Sequence, residues 1–334
     1  MRGMTAALAG AIDLGGTKIL AAVVDRHGKI RGADRRSTEP ELGPAAGTAR
    51  MAESLLAACA QAGVPPRSLV GLGVAAAGPI DLATGVLSSP PNLPGWIDVP
   101  LAQILAESTG LSVQIENDAN AAALGELVFG AGRGSRHMVY LTLSTGIGGG
   151  VIADGRILHG ATGAAGEVGH IPLVPDGPLC GCGQRGCLEA LASGTAIGRE
   201  GTRAAAEGRS AVLAAMADPD GRVSAESVAL AATRGDGTAA AIIAGAAEHL
   251  GVGLVTLVHL FNPELIVIGG GVSEIGAPLL GPAEVYMRAH SFPRLASAVR
   301  VVRAAHSQDA AVLGAAALAL QPQPEEPADR RRGP

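Results

Sequence analysis

Two stretches of the chain repeat the same order of apolar and polar positions. The first runs from Ala11 to Asp25, turns at Gly28 and continues into another strand-like run. The second runs from Val139 to Asp154, turns at Gly155 and continues in the same way. Each stretch is typical of an apolar strand, a polar residue, a glycine turn and a second apolar strand, with a third strand after another turn. The repetition predicts a duplicated α/β unit.

Helical periodicity lies between and after these two hairpins. It covers Ala119 to Phe129, where Gly130 ends it, and Ala239 to Leu260. A further apolar strand from Leu265 to Gly269 leads into two more glycines. Alternating strands and helices predict an α/β protein whose helices pack on its sheets.

The length of the chain predicts two domains, because 334 residues are too many for one compact core. We expect a smaller N-terminal α/β lobe at residues 1–116 and a larger α/β lobe at residues 117–307. A C-terminal helix at residues 308–320 is expected to pack back on the first lobe. Residues 321–334 are rich in Pro, Glu and Arg and are expected to be disordered.

Composition narrows the class of protein. Hydrophobic residues make up 48% of the chain and charged residues 16%, as in ordinary soluble proteins. The net charge is -5 and no basic cluster precedes the tail, so we expect no nucleic-acid partner.

The most apolar region, Gly251 to Val272, is interrupted by Asn262-Pro263-Glu264, so no membrane span is expected. The cysteines suggest no disulfide framework, which favours a reducing, cytoplasmic location, and Cys59 is expected on a packed helix face.

Three of the four cysteines fall close together, at Cys180, Cys182 and Cys187, and His170 precedes them. Three thiolates and an imidazole are a complete tetrahedral ligand set for zinc. A closed set with no open position indicates a structural metal that builds the site and does not run the reaction. Two glutamates, Glu167 and Glu189, lie beside these residues in the sequence and could bind a polyhydroxy ligand.

Glycine turns occur at Asp13–Lys18, Ser144–Gly150 and Gly269–Gly271. Such turns present backbone N–H groups to one point and let phosphate oxygens approach the chain. One turn alone is weak evidence, but three turns, two with an adjacent threonine, indicate a nucleotide. No P-loop pattern and no well-placed dinucleotide fingerprint is present. Asp13, at a strand end, suits a position near magnesium, with water between them.

Asn117 and Asp118 lie at a predicted junction between a strand that ends at Glu116 and a helix that starts at Ala119. Open α/β sheets bind ligands at such junctions. Asp118 fits two compatible roles, a helix N-cap or a catalytic base that accepts a hydroxyl proton in phosphoryl transfer.

These motifs occur in an order that resembles the ROK family (repressors, open reading frames and sugar kinases). The motifs are Asp13–Lys18, Glu116-Asn-Asp-Ala-Asn-Ala-Ala-Ala, Ser144–Gly150, Gly166-Glu-Val-Gly-His170 and Cys180-Gly-Cys-Gly-Gln-Arg-Gly-Cys-Leu-Glu189. The resemblance runs from about Ala11 to Leu320, and the His/Cys/Cys/Cys/Glu run is its most specific element. It implies a two-lobed, actin-like (ribonuclease H-like) ATPase fold with the active site in the interlobe cleft.

The resemblance also implies residue roles. Asp118 matches the general base, which takes the proton from the 6-hydroxyl of a sugar. Asn117, Glu167, His170 and Glu189 match sugar-binding residues, and Gly78 lies at the sugar-contact loop. The zinc ligands are His170, Cys180, Cys182 and Cys187, so one ring nitrogen of His170 binds zinc and the other can reach a sugar hydroxyl. The candidate ATP-binding residues are Asp13, Gly15, Gly16, Thr17, Lys18, Thr145, Gly146, Gly148, Gly270 and Gly271.

The sequence therefore predicts an ATP- and magnesium-dependent hexokinase of the glucokinase type. Residues 91–96 resemble a loop of family glucokinases, although Trp96 could instead anchor the proline-rich linker Ser88–Pro100 on the surface. An N-acetylmannosamine or N-acetylglucosamine kinase is the close alternative, and a sugar-sensing protein without catalysis is the alternative of another class. Because the first strand begins near Ala11, we do not expect the N-terminal helix-turn-helix domain of the family's repressors. The resemblance also implies a homo-oligomer, either a dimer or a tetramer.

Overall fold

The structure, a computed structural model, describes residues 7–90 and 92–321. The tail at residues 322–334, for which disorder is expected, lies outside the described residues. The strands, numbered along the chain, are β1 Leu8–Leu14, β2 Lys18–Asp25, β3 Ile30–Ser37, β4 Leu72–Ala76, β5 Ile80–Asp81, β6 Val86–Leu87, β7 Val113–Asn117, β8 Met138–Leu143, β9 Ile147–Ala153, β10 Arg156–Ile157, β11 Leu265–Gly269 and β12 Arg300–Arg303. The helices are α1 Gly43–Ala62, α2 Leu101–Thr109, α3 Asp118–Phe129, α4 Leu188–Ala192, α5 Gly194–Ala206, α6 Ala211–Ala215, α7 Ala225–Thr233, α8 Gly237–Phe261, α9 Ala277–His290, α10 Pro293–Ala298 and α11 Ala310–Leu320. Short 3-10 turns occur at Pro40–Leu42, Pro66–Ser68, Val168–His170 and Gly271–Ile275.

The chain forms two compact units, and both contain a five-stranded sheet with the same strand order. Unit 1 comprises residues 1–116 and 315–334, and unit 2 comprises residues 117–314. The sheet orders are β3-β2-β1-β4-β7 and β10-β9-β8-β11-β12. In each sheet the first three strands pair antiparallel, and the fourth runs parallel to the first. The duplicated α/β unit predicted from the two hairpins is confirmed.

Each unit has its own apolar core. In unit 1, β1 and β2 bury Ile12, Leu14 and Ile19 together with Met51 and Leu55 of α1. Cys59 is also buried in this core, on the packed face of α1 as the sequence predicts.

In unit 2, Leu141 and Leu143 of β8 share a core with Leu254 and Leu257 of α8. α8 is long and apolar enough to cross a membrane, but half of its most apolar window is buried inside the fold. It ends at Asn262, which has a left-handed conformation (φ 44°) and precedes Pro263. α8 therefore has the character of a core helix, and it ends where the sequence predicts.

α11 is divided between the two units, with the boundary after Gly314. A methyl group on Gly314 would lie 1.6 Å from the carbonyl oxygen of Ala121, and one on Gly125 would lie 2.2 Å from that of Ala310. These close approaches tie the first half of α11 to α3. Residues 315–320 of α11 belong to unit 1, so the expectation that the C-terminal helix packs back on the first lobe fits its second half, whereas its first half packs on α3.

Trp96 belongs to the core of unit 1 and is only 1% exposed. A methyl group on Gly47 of α1 would lie 2.4 Å from Cζ2 of the indole, so the ring packs directly on the helix backbone. The alternative of a surface anchor for the linker is wrong, because the indole fills a space that a glycine leaves open. Pro91 lies outside the described residues.

Candidate active site

The N-terminus of α3 places Asn117 and Asp118 at the end of β7. Oδ1 of Asn117 accepts hydrogen bonds from the amides of Ala119 (2.9 Å) and Asn120 (3.2 Å). Asn117 is therefore the N-cap, and Asp118 is the first residue of the helix. The interpretation of Asp118 as the cap is wrong, because the side chain of Asn117 already caps the helix.

The carboxylate of Asp118 is partly buried and lies near a second negative charge. Burial is the main reason that the pKa of Asp118 is raised above the ordinary value of 3.8, and the charge of Glu167 raises it further. A hydrogen bond from the amide of Ala119 (2.9 Å) opposes both effects. A carboxylate with a raised pKa is a stronger proton acceptor, so this environment suits a general base.

The predicted metal ligands come together in unit 2. One ligand atom each from His170, Cys180, Cys182 and Cys187 lies within 4.8 Å of the other three. The Sγ atoms of Cys182 and Cys187 are 3.7 Å apart, and Sγ of Cys180 is 3.5 Å from Nδ1 of His170. A tetrahedral zinc with bonds of about 2.3 Å places its sulfur ligands roughly 3.8 Å apart. The donor types and their spacing fit zinc.

Backbone bonds shape the loop that carries the cysteines. The amide of Cys180 donates to the carbonyl of Gln184 (2.8 Å), and the amide of Gly183 donates back to Cys180 (3.0 Å). Gly186 has a φ of 66°, and a methyl group there would lie 1.6 Å from the carbonyl oxygen of Val174. Only glycine fits that position, so the loop can close and bring Cys187 back beside Cys180.

His170 presents its two ring nitrogens to different partners. Nδ1 faces the thiol of Cys180, whereas Nε2 lies 3.9 Å from Oε2 of Glu167. The segment that carries both residues packs tightly on β9, because a methyl group on Gly169 would lie 1.9 Å from the carbonyl oxygen of Ile147. This arrangement would leave Nε2 available to a ligand while Nδ1 binds a metal.

Glu189, at the start of α4, lies between the cysteine cluster and the second glycine turn. Its Oε2 accepts a hydrogen bond from the amide of Ile147 (2.9 Å), and its Oε1 lies 3.6 Å from Sγ of Cys180. A methyl group on Gly146 would lie 2.4 Å from Oε2, so glycine is needed at that point of the turn. One side chain thus connects two predicted sites.

The first glycine turn, Gly15–Thr17, joins β1 to β2 in unit 1. The amide of Gly15 donates to the carbonyl of Lys18 (2.9 Å) and closes the turn. Thr17 and Lys18 are exposed, and the amides of Gly16 and Thr17 donate to no acceptor among the described residues. The turn therefore offers two N–H groups to an anion, in keeping with the prediction of a phosphate site.

The second glycine turn is shorter than the sequence suggests. Only Ser144–Gly146 form the turn, closed by a bond from the amide of Ser144 to the carbonyl of Gly146 (2.9 Å). Within residues 7–90 and 92–321, no acceptor pairs with the amides of Thr145 and Gly146.

Gly148–Gly150 lie in β9 and not in this turn. A methyl group on Gly150 would lie 2.6 Å from Cβ of Ala123, and one on Gly148 would lie 3.3 Å from Cβ of Ala119. Their absent side chains let α3 pack on the strand, so the assignment of Gly148 to the turn is wrong.

Two other predicted glycines have packing constraints of their own. Gly270 has a φ of 84°, and a methyl group there would lie 2.3 Å from the carbonyl oxygen of Leu143, whereas nothing lies within 4 Å of one on Gly271. Gly78 has a φ of 117° and abuts Pro90, at 2.6 Å from an added methyl group. Of these three glycines, only Gly271 is at an exposed position where a methyl group would meet no other atom.

The predicted residues divide between the units. Unit 2 contains the candidate metal ligands, Asn117, Asp118, Glu167, Glu189 and the second and third glycine turns, and unit 1 contains Asp13, the first glycine turn and Gly78. Sequence reasoning gave no role to Glu126, which is fully buried on α3 and accepts backbone amides from Ala131 (2.8 Å), Ala305 (3.1 Å) and His306 (2.6 Å). Nothing local in the sequence marks this role, because two of its partners are about 180 positions away.

Comparison with known proteins gives consistent results. The model of the ROK family matches residues 9–322. A glucokinase of Halalkalibacterium halodurans is 40% identical over 93% of this chain and 94% of its own length. An N-acetylmannosamine kinase of Escherichia coli O157:H7 is 34% identical over 92% of this chain and 97% of its own length.

A solved structure agrees with this sequence similarity. The ROK family glucokinase from Streptomyces griseus, in complex with glucose and AMPPNP, is 35% identical, covers 93% of this chain and 98% of its own, and has a TM-score of 0.78. Together with the repeated sheet order, the match confirms the predicted actin-like ATPase fold. The chain belongs to the ROK family.

Proposed function

We propose that this protein is an ATP-dependent sugar kinase that converts glucose to glucose 6-phosphate. The observation that carries the proposal is the state of Asp118. Its capping role is filled by Asn117, and its pKa is raised by burial and by Glu167. A helix cap needs neither feature, whereas a general base benefits from both. The glucokinase relatives support the same reaction class.

In the proposed reaction, Asp118 accepts the proton of the sugar 6-hydroxyl as that oxygen attacks the γ-phosphorus of ATP. The bond between the γ-phosphorus and the bridging oxygen breaks, and ADP leaves. The unpaired amides of Gly16, Thr17, Thr145 and Gly146 stabilise negative charge on the phosphates. Magnesium, held through water by Asp13, would supply further neutralisation of that charge.

Zinc is proposed as a structural ion held by His170 and the three clustered cysteines. Its chemistry would be to fix the loop and the imidazole ring. With Nδ1 turned to the cysteines, Nε2 of His170 can bind a sugar hydroxyl, and Glu167 and Glu189 can accept hydrogen bonds from others.

Glucose is the proposed substrate, and an N-acetylated amino sugar is the alternative because an N-acetylmannosamine kinase is also similar. A coupled assay with a panel of hexoses and N-acetylhexosamines separates the two. We expect glucose to give the highest kcat/KM. An amino sugar that turns over far better than glucose would overturn the substrate assignment.

A sugar-sensing protein without catalysis is distinguished by Asp118→Ala. We expect kcat to fall by at least about 10² while sugar affinity changes little, because the carboxylate acts on the proton. Isothermal titration measures the affinity. Absence of phosphoryl transfer to any sugar by the wild-type protein would favour the sensor.

Assembly and location complete the proposal. Leu260, Val285 and Phe292, on or beside α8, α9 and α10, are 68–69% exposed, and such apolar surface supports the expected dimer or tetramer. Light scattering after size exclusion measures the mass, and a monomer at micromolar concentration would contradict it. We place the enzyme in the cytoplasm, where thiol ligands stay reduced.

A further inference from the structure

Two threonines outside the predicted site anchor the first and second glycine turns, each through its backbone amide and its hydroxyl. In unit 1, Thr38 donates its amide to the carbonyl of Thr17 (3.0 Å) and its hydroxyl to the carbonyl of Gly15 (2.7 Å). In unit 2, Thr195 donates its amide (3.2 Å) and its hydroxyl (2.8 Å) to the carbonyl of Thr145. We propose that Thr38 and Thr195 are positioning residues that fix the two nucleotide-binding turns, an inference that rests on the proposed function.

The geometry of the peptide group explains how a bond to a carbonyl can aim an amide. In a trans peptide the C=O of one residue and the N–H of the next lie in one plane and point in opposite directions. A carbonyl of Gly15 held toward Thr38 therefore turns the N–H of Gly16 away from Thr38. A carbonyl of Thr145 held toward Thr195 turns the N–H of Gly146 away in the same manner.

The two amides that are aimed in this way are among those without a protein acceptor. The N–H groups of Gly16 and Gly146 have no partner among residues 7–90 and 92–321. Each carbonyl that a threonine holds therefore belongs to the same peptide group as an amide that can donate a hydrogen bond to a phosphate oxygen. The threonines touch no reacting atom and act only through the turns.

The two threonines are held differently: Thr38 is buried, whereas Thr195 is exposed and is held by its place in the first turn of a helix. Thr38 is 0% exposed and follows directly after β3. Thr195 is the second residue of α5, after the N-cap Ser193. The neighbouring amide of Gly194 also donates to the turn, at the carbonyl of Ser144 (2.8 Å). The first two amides of α5 therefore donate hydrogen bonds to the turn. The helix thus orients the turn and does not use these amides to bind phosphate.

The chain offers a matched control for each threonine. Thr238 is also the second residue of a helix, after the N-cap Asp236 and a glycine, and its hydroxyl donates to the carbonyl of Arg209 (3.0 Å). Thr48 is 5% exposed, and its hydroxyl donates to the carbonyl of Pro44 (2.9 Å). Neither residue contacts a glycine turn.

The experiment compares Thr195→Val and Thr38→Val with Thr195→Ser, Thr38→Ser, Thr238→Val and Thr48→Val in the full-length protein. Titration calorimetry measures the Kd of AMPPNP, and steady-state assays measure the KM values for ATP and for glucose. We expect each of the two anchoring Val variants to weaken AMPPNP binding and raise the KM for ATP about 3- to 10-fold, the effect of one lost hydrogen bond. The KM for glucose should stay within about twofold, and the Ser variants should restore nucleotide binding.

Unchanged AMPPNP affinity in Thr195→Val would overturn the inference, and so would an equal loss in Thr238→Val or failure of Ser to rescue. If Thr38→Val does not fold, as shown by circular dichroism, the Thr195 series decides. Because AMPPNP binding needs no turnover, the inference fails separately from the sugar kinase assignment. A wild-type protein that binds AMPPNP but phosphorylates no sugar contradicts the function and leaves the threonine comparison intact.

Discussion

The side chain of Glu189 accepts a hydrogen bond from the amide of Ile147 at 2.9 Å. The other oxygen of the same carboxylate faces Cys180, 3.6 Å away. Glu189, two residues after Cys187, is therefore also hydrogen-bonded to the first residue of β9. Loss of the Glu189 carboxylate should therefore weaken the binding of both the sugar and ATP.

We predict that Glu189→Ala raises the KM for glucose and the KM for ATP together, each by about 10-fold or more. A hydrogen bond to a charged acceptor is worth about 1.5–3 kcal/mol, and this change removes both that bond and a proposed sugar-binding group. Steady-state kinetics with each substrate varied in turn measure the effect. Glu207→Ala, an exposed glutamate paired with Arg209, is the control. A rise confined to one substrate would contradict the bridging role.

The profile of kcat/KM against pH should fall on its acid side, and we expect protonation of Asp118 to cause this acid limb. The base works only when ionised, so activity is lost as the pH falls through its pKa. Because burial and the charge of Glu167 raise that pKa above 3.8, the limb should lie at a higher pH than an ordinary aspartate would give.

The variant Glu167→Gln tests the origin of this limb. Removal of the neighbouring negative charge favours the ionised form of Asp118, so the acid limb should move to lower pH. The sugar KM is expected to rise as well, since Glu167 is a proposed sugar ligand. A limb that moves to higher pH, or that does not move, would show that another group sets it.

Metal analysis should find about one zinc per chain in freshly purified protein. We expect Cys182→Ser to lower both the zinc content and the affinity for glucose. The proposed zinc would lose one of its four ligands, and the positions of His170 and Glu189 would then be less well fixed. Plasma emission spectrometry and calorimetry give the two values. Cys59→Ala, which changes a buried thiol of unit 1, should retain its zinc. Active wild-type protein without bound metal would contradict the prediction.

Glu126→Ala should lower the stability of unit 2 by about 2–3 kcal/mol. The change removes the buried carboxylate that accepts hydrogen bonds from the amides of Ala131, Ala305 and His306. Urea denaturation followed by circular dichroism measures the loss. Glu284→Ala on α9, whose partner is the half-exposed Arg288, is a control that should cost less than about 1 kcal/mol. Equal losses in the two variants would argue against the anchoring role of Glu126.

The fold could be predicted because its signals are local. Both hairpins, the end of α8 at Asn262 and the strand Leu265–Gly269 follow from apolar periodicity and turn residues. The cluster of four candidate metal ligands was also predictable, since three of them lie within one short loop.

The errors and omissions concern roles that residue type alone does not specify, and most of these roles depend on distant partners. Asn117 displaces Asp118 as the cap through side-chain geometry that residue type alone does not specify. Trp96 is buried because Gly47 leaves room for it, and Thr195 anchors a turn 50 positions earlier. The Ser-Gly-Thr sequence that ends at Thr195 does not predict this role. The similar Asp-Gly-Thr at residues 236–238 also precedes a helix, but the hydroxyl of Thr238 donates to the carbonyl of Arg209, which is not in a glycine turn.

The run Gly148–Gly150 has a consequence for engineering this enzyme. Any side chain at Gly150 would collide with Ala123 and with the carbonyl oxygen of Ala119, at 2.6 and 2.9 Å from its first carbon. The collision would push α3 outward, and Asp118 moves with that helix. Attempts to broaden substrate range by diversifying this strand would therefore displace the carboxylate that we propose as the general base.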